Sequence, residues 1–308
     1  MTSTTDSTMD STTDGATTAA GHPAATTVGI DGTAAGAAAE HAAVGSPLSW
    51  AMADTLTIAG RTLQHWARQP GLFALNLLFP VFTLVMFGYL FGGAMTVPGG
   101  GDYREFLVPG VLGLSVLFGI EATVLAVVTD ASKGVTDRFR SLPMAGTAVV
   151  AGRAAADMLN ATLGLAVMML AGRAVGWGWH EGIGRAAAAL GLLLLLRFAF
   201  VWVGIYLGLV LKTPEGAMVV QILVWPLGFV SSGFTSPEDM PGWLGTIAEW
   251  NPVSSTVTAT RELFGNPGVP QGGSWIAENA QLMAVVWPLA LVAVFLPLAA
   301  RRYRDLRR

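Results

Sequence analysis

Cysteine is absent from the chain, so disulfides, thiolate nucleophiles and Cys-ligated metals are excluded. Lysine is almost absent, with Lys133 and Lys212 the two examples, and neither follows a glycine. A phosphate-binding loop of the Gly-x-x-x-x-Gly-Lys-Ser/Thr kind is therefore missing. His22, His41, His65 and His180 are scattered without metal-ligand spacing, and no Ser, His and acid constellation is suggested by any motif. Charge is scarce throughout, at 12% of the 308 residues, about half the usual share. These shortages exclude covalent catalysis, a resident nucleotide or metal, and a general attraction to nucleic acid. Ala, Gly and Arg in place of Lys match the codon bias of a GC-rich bacterial genome.

What fills the chain instead is apolar residues in long blocks. Six spans, about 72 to 91, 107 to 128, 151 to 172, 186 to 211, 217 to 234 and 282 to 300, approach or exceed the length needed to cross roughly 30 Å of hydrocarbon. The fifth is marginal, and Arg153 and Asp157 blur the start of the third. Residues 1 to 46 are Thr, Ser, Ala, Gly and Asp without Lys or Arg, a composition that cannot offset ordering entropy, so a disordered tail is expected there. A cleaved signal peptide would need a basic start and an apolar run, and neither is present. From Pro47, Leu48, Met52, Leu56, Ala59, Leu63 and Trp66 fall on one helical stripe, with Ser46 placed to cap it and Gln69-Pro70-Gly71 to stop it. This stretch, 47 to 70, is expected to be an amphipathic helix lying in the membrane interface.

With the N-terminus inside, the inner segments hold twelve Lys and Arg, among them Arg61, Arg68, Lys133, Arg138, Arg140 and the basic end 301 to 308. The outer ones hold Arg104, Arg173, Arg185 and Arg261. The asymmetry places both termini in the cytoplasm.

Two ionisable groups stand deep in spans, where each costs about 3 kcal/mol unless paired. Arg197 lies near the centre of span four, and Glu121 in span two sits at a depth differing by only about 5 Å. A Glu121 to Arg197 pair facing the bundle interior is expected. Asp157 lies close enough to the boundary for Arg153 to snorkel to water beside it. Gly204-x-x-x-Gly208 permits a close helix crossing, internal or between subunits. Pro80, Pro226 and Pro288 are expected to kink or break their spans. Phe118, Trp225 and Phe229 could line a path for an apolar solute or pack in the core.

Between spans two and three lies a charged island, Thr129 to Thr147. Val135, Phe139 and Leu142 repeat at i, i+4 and i+7, while Asp137, Arg138 and Arg140 point elsewhere, and Pro143 ends the run. An apolar stripe flanked by charge is what a docking helix needs: an anchor for a partner's groove, and charges for register.

Three segments together resemble the membrane subunit of type-2 ABC exporters, the group that includes daunorubicin-resistance permeases. They are RQPGLFALNLLFPVFTLVMFGYLFGG from Arg68, KGVTDRFRSLPMAG from Lys133, and GFTSPEDMPGWLGTIAEWNPVSSTVTATRELFGNP from Gly233. The resemblance covers Leu48 to Arg304. It implies an all-α polytopic protein: an interfacial elbow helix, then a six-helix transmembrane domain over 71 to 300. A cytoplasmic coupling helix would lie between spans two and three, and an external re-entrant helical region between spans five and six. It implies that Lys133, Gly134, Asp137, Arg138 and Phe139 dock into a separate ATP-binding subunit, and that Met240, Pro241, Trp243, Asn251, Pro252 and Arg261 form the external gate region. Val135 departs from the usual Thr, and Asp137 and Phe139 from Glu and Leu. ATP and Mg would bind the partner, and a second permease copy would complete a bacterial plasma-membrane exporter of hydrophobic or amphipathic compounds. A secondary transporter and a non-transporting assembly factor remain the alternatives.

The coupling reading has a local test. Arg138→Glu or Phe139→Asp is expected to abolish export while membrane insertion and melting temperature stay at wild-type values; normal export by both variants removes the role from this stretch.

Overall fold

The computed structural model describes residues 70–92, 97, 99–132, 146–270 and 274–305. The stretch from Pro47 to Gln69 and the docking residues Lys133, Gly134, Asp137, Arg138 and Phe139 lie outside the described residues. Those described are helical and contain no strand. In chain order the helices are α1 (Pro70–Leu90), α2 (Tyr103–Ser132), α3 (Gly146–Val175), α4 (Gly182–Leu211) and α5 (Pro214–Phe229). A 3-10 turn (Pro237–Asp239) and three shorter helices follow, α6 (Gly242–Glu249), α7 (Pro252–Phe264) and α8 (Trp275–Glu278), before α9 (Ala280–Asp305).

Four of these are long and apolar enough to cross a membrane: α2, α3 over Ala151–Val175, α4, and α9 over Ala280–Tyr303. The described part of α1, Leu78–Leu90, and α5 are shorter apolar helices. The fifth expected span ends early. α5 has 16 residues, a rise of about 24 Å, because the chain turns at Val230, whose N–H reaches the Pro226 carbonyl. Pro80, Pro226 and Pro288 sit inside continuous helices and break none of them. Outward faces stay apolar, with Phe82, Met218, Ile222, Leu223 and Leu289 exposed. Such faces are costly in water and suit a lipid surround.

α2 stands at the centre. Its Leu107, Leu112, Leu117, Val124 and Val128 are fully buried, and it packs against α1, α3, α4, α5 and α7. The α2–α4 crossing is made close by the two glycines of the Gly-x-x-x-Gly repeat. A Cβ on Gly204 would lie 2.8 Å from Thr123 Cβ, and one on Gly208 would lie 2.7 Å from Val127 Cβ. The repeat is thus used within the chain. The turn from α4 to α5 is tight: Lys212 takes a left-handed conformation at φ 57° with its N–H on the Gly208 carbonyl, and Thr213 accepts from the Gly216 N–H to cap α5.

Gly204→Val should therefore lower the melting temperature in detergent, by an amount corresponding to about 1–3 kcal/mol. Gly191→Ala, whose Cβ meets nothing within 4 Å, should not. Equal melting of Gly204→Val and the wild type would show that the crossing is looser than described.

Candidate functional site: a buried charge centre and an adjoining cavity

The charge centre is built where α2, α3 and α4 meet. Arg197 of α4 is 3% exposed, and its side chain passes over Gly119 of α2, where any Cβ would collide with the guanidinium. Nη2 donates to Thr123 Oγ1 at 3.0 Å and stands 3.9 Å from Asp157 Oδ2. The Thr123 hydroxyl has two acceptors in reach, the Gly119 carbonyl at 3.1 Å and Asp157 Oδ2 at 2.7 Å. Asp157 Oδ1 in turn faces Arg153 Nε at 3.4 Å, and Arg153 Nη1 donates to Asp130 Oδ2 at 3.2 Å. Charges thus alternate in sign from Asp130, near the end of α2, to Arg197 deep in the bundle. Nη1 of Arg197 has no hydrogen-bond partner.

The expected Glu121 to Arg197 pair is not the one formed. Gly119 and Thr123, four residues apart, present one face of α2 to Arg197, and Glu121 lies on another, about 200° away around the helix. Depth along the helix is what apolar runs convey, and azimuth decided the partner. Asp157 was masked by its position near the apparent start of span three. The helix begins at Gly146, so Asp157 stands eleven residues in, about 16 Å along it.

Glu121 faces a cavity of about 540 Å³ walled by α1, α2, α3, α4 and α5, with Arg197, Asn160, Gln221 and Ser115 among the polar groups on its lining. Its Oε1 is buried without a hydrogen-bond partner. Next to this lies an apolar slot of about 140 Å³, sharing Phe79, Pro80, Ser115 and Phe118 with the first. Phe118, Trp225 and Phe229 come together here as one wall. Phe118 and Trp225 centroids are 4.9 Å apart, Trp225 and Phe229 stack at 5.9 Å, and Phe79 meets Trp225 edge-on at 5.4 Å. Phe229 and Phe234 continue the stack at 5.6 Å.

At the opposite end of α2, Asn251, Pro252 and Arg261 form a buried latch. Asn251 caps α7 through the Val253 N–H, and its amide donates to the Leu227 and Val230 carbonyls at the frayed end of α5, at 2.8 and 2.7 Å. Pro252 takes the first helical position, where its missing N–H costs nothing. Arg261 is 1% exposed. Its Nε donates to the Phe106 carbonyl at 3.0 Å, its Nη2 to the Ser232 carbonyl at 2.7 Å, and its guanidinium lies 3.7 Å over the Phe106 ring. Burial pulls its pKa well below the usual guanidinium range, to about 9, against the opposing pull of Tyr103, so it stays cationic at neutral pH. Met240, Pro241 and Trp243 do not join this cluster: Pro241 and Trp243 are exposed, Met240 partly so. Trp177 and Asn266 complete the latch and carried no sequence signal. Trp177 Nε1 donates to Asn266 Oδ1 at 2.8 Å, and Asn266 Nδ2 to the Gly178 carbonyl at 2.9 Å.

Residues 53–264 match the family described as ABC-2 type transporter. The chain is also 35% identical over 257 residues to the daunorubicin resistance ABC transporter permease protein DrrB1 of Streptomyces coeruleorubidus, an alignment covering 83% of this chain and 87% of that protein.

A double-mutant cycle tests the charge centre. Asp157→Asn should destabilise by about 3–5 kcal/mol, since it strands a buried guanidinium. Adding Arg197→Gln should recover part of the loss, and Glu121→Gln should show no coupling to Arg197→Gln; coupling of the latter pair instead would restore the pairing read from depth alone.

Proposed function

Because the chain belongs to the ABC-2 type transporter family, we propose that it is the membrane permease subunit of an ATP-driven exporter of hydrophobic or amphipathic compounds. The observation that carries the substrate reading is the paired cavity, polar at Glu121 and Gln221 and aromatic at Phe118, Trp225 and Phe229. A solute with one polar and one flat apolar end matches both halves. The daunorubicin resistance named for the similar permease is resistance to a drug, which accords with export of such a compound.

ATP and Mg bind a separate ATP-binding subunit in this reading, and this chain performs no hydrolysis. Residues 129 to 147 face the cytoplasm and dock on that subunit through Lys133, Gly134, Asp137, Arg138 and Phe139. Six helices cross a bacterial plasma membrane, α1 to α5 and α9, with both termini inside. A second permease copy completes the pathway. The α6–α8 region lies at the external surface and dips into the outer leaflet. In support, the 16 residues of α5 rise only about 24 Å, so its end stops short of the outer surface, and Asn251 takes up the carbonyls there. Asn251, Pro252 and Arg261 then act as the fixed part of the external gate, and Met240, Pro241 and Trp243 as its exposed rim.

Tagged protein purified from its native host should carry an ATP-binding subunit with it, and transport should stop on ATP depletion. Transport that survives ATP depletion, with no such subunit recovered, would instead indicate a secondary transporter.

A further inference from the structure

The cavity beside the charge centre contains one carboxylate, Glu121, that no cation pairs with among the described residues. Arg197 also borders it, but that guanidinium is buried, faces Asp157 and Thr123, and has Arg153 and Asp130 beyond it in an alternating series. Within that series Asp130, Arg153, Asp157 and Arg197 sum to zero. Glu121 stands outside it, on a different face of α2. Gln221 of α5, an uncharged amide, is the polar group beside it, and Oε1 has no hydrogen-bond partner. A half-buried carboxylate without a counter-charge is costly in a bundle of this kind. An occupant that brings the missing positive charge relieves that cost.

The adjoining slot narrows the chemistry further. Phe118, one helical turn before Glu121, forms its wall with Phe79 and Trp225, and Phe79 and Phe118 also border the larger cavity. Ring faces attract cations, and flat aromatic bodies stack or meet edge-on against them. An anion finds no such attraction at a ring face. The combined volume, about 540 and 140 Å³, matches a drug-sized solute and exceeds a metal ion or a single lipid headgroup.

From this geometry we infer that Glu121 is the counter-ion for flat aromatic organic cations, seated with the positive group against its carboxylate and the ring system against Phe118 and Trp225. The inference rests on the exporter reading for its physiological meaning, but binding can be measured without transport. It makes Glu121 a specificity residue, separating cationic from neutral solutes of similar shape.

The test uses the full chain in lipid nanodiscs with two probes, ethidium as a flat permanent cation and Nile red as a flat neutral dye, each followed by fluorescence anisotropy. Glu121→Gln should weaken ethidium binding by about tenfold to a hundredfold, as loss of a charged hydrogen-bonded contact does, and leave Nile red binding within twofold. Glu121→Asp, which keeps the charge, should recover part of the loss. Equal weakening of both probes, or of neither, overturns the counter-ion role, as does wild-type protein that binds Nile red but not ethidium. Tighter binding of anionic fluorescein than of ethidium would assign the cavity to Arg197 and also overturn it. A parallel assay with the ATP-binding partner in proteoliposomes separates the two readings: selective binding without ATP-driven movement of ethidium would retain Glu121 as the cation site and remove export.

Discussion

One guanidinium group determines how three helices must meet. Arg197 is almost wholly buried, so its charge has to be answered from within the chain, and the answer comes from two directions at once. Thr123 of α2 supplies an oxygen at hydrogen-bond distance, and Asp157 of α3 supplies the opposing charge. The Thr123 contact is not available unless α2 and α4 approach closely, which Gly119, Gly204 and Gly208 allow by having no side chain to collide. Small residues and a buried cation are here two halves of the same constraint: the first brings the backbones together, and the second penalises any arrangement that lets them separate.

The far end of α2 is held by the same logic with a different donor. Arg261 has no carboxylate among its hydrogen-bond partners; it spends its N–H groups on the carbonyls of Phe106 and Ser232 and lays its plane on the Phe106 ring. Carbonyl dipoles and a ring quadrupole replace a formal countercharge there. Phe118 and Glu121, which α2 presents to the cavities, flank and interleave the Arg197 contacts at Gly119 and Thr123, so the segment open to a solute adjoins one of the held points.

The apolar helices were legible because twenty-residue hydrophobic runs have few other meanings, and Arg197 was legible as an anomaly within one. Its partner was not. A count of residues from a boundary locates depth, but the choice between Glu121 and Asp157 is made by rotation about the helix axis and by where α3 truly begins, five residues ahead of its apolar run. α7 was harder still. Ser254, Ser255, Thr256, Thr258 and Thr260 are polar by type, yet all are buried, with Thr256 and Thr260 returning their hydroxyls to carbonyls four residues back. Periodicity of apolar side chains cannot reveal a helix whose burial is achieved by hydroxyls that satisfy themselves. Asn251, Pro252 and Arg261 were picked out by resemblance, and the same resemblance did not separate them from Met240, Pro241 and Trp243, which share the sequence neighbourhood but lie partly or fully exposed.

The turn at Lys212 and Thr213 has a mechanical side. Two residues join α4 to α5, one locked in a left-handed conformation and the other spent on capping, so the joint contains no slack. The two helices share few contacts beyond that corner and diverge from it, like the arms of a pair of tongs fixed at the pivot. Arg197 rides on one arm, and Gln221 and Trp225 ride on the other. The charge centre and the aromatic wall are therefore set at a distance from each other by one taut corner.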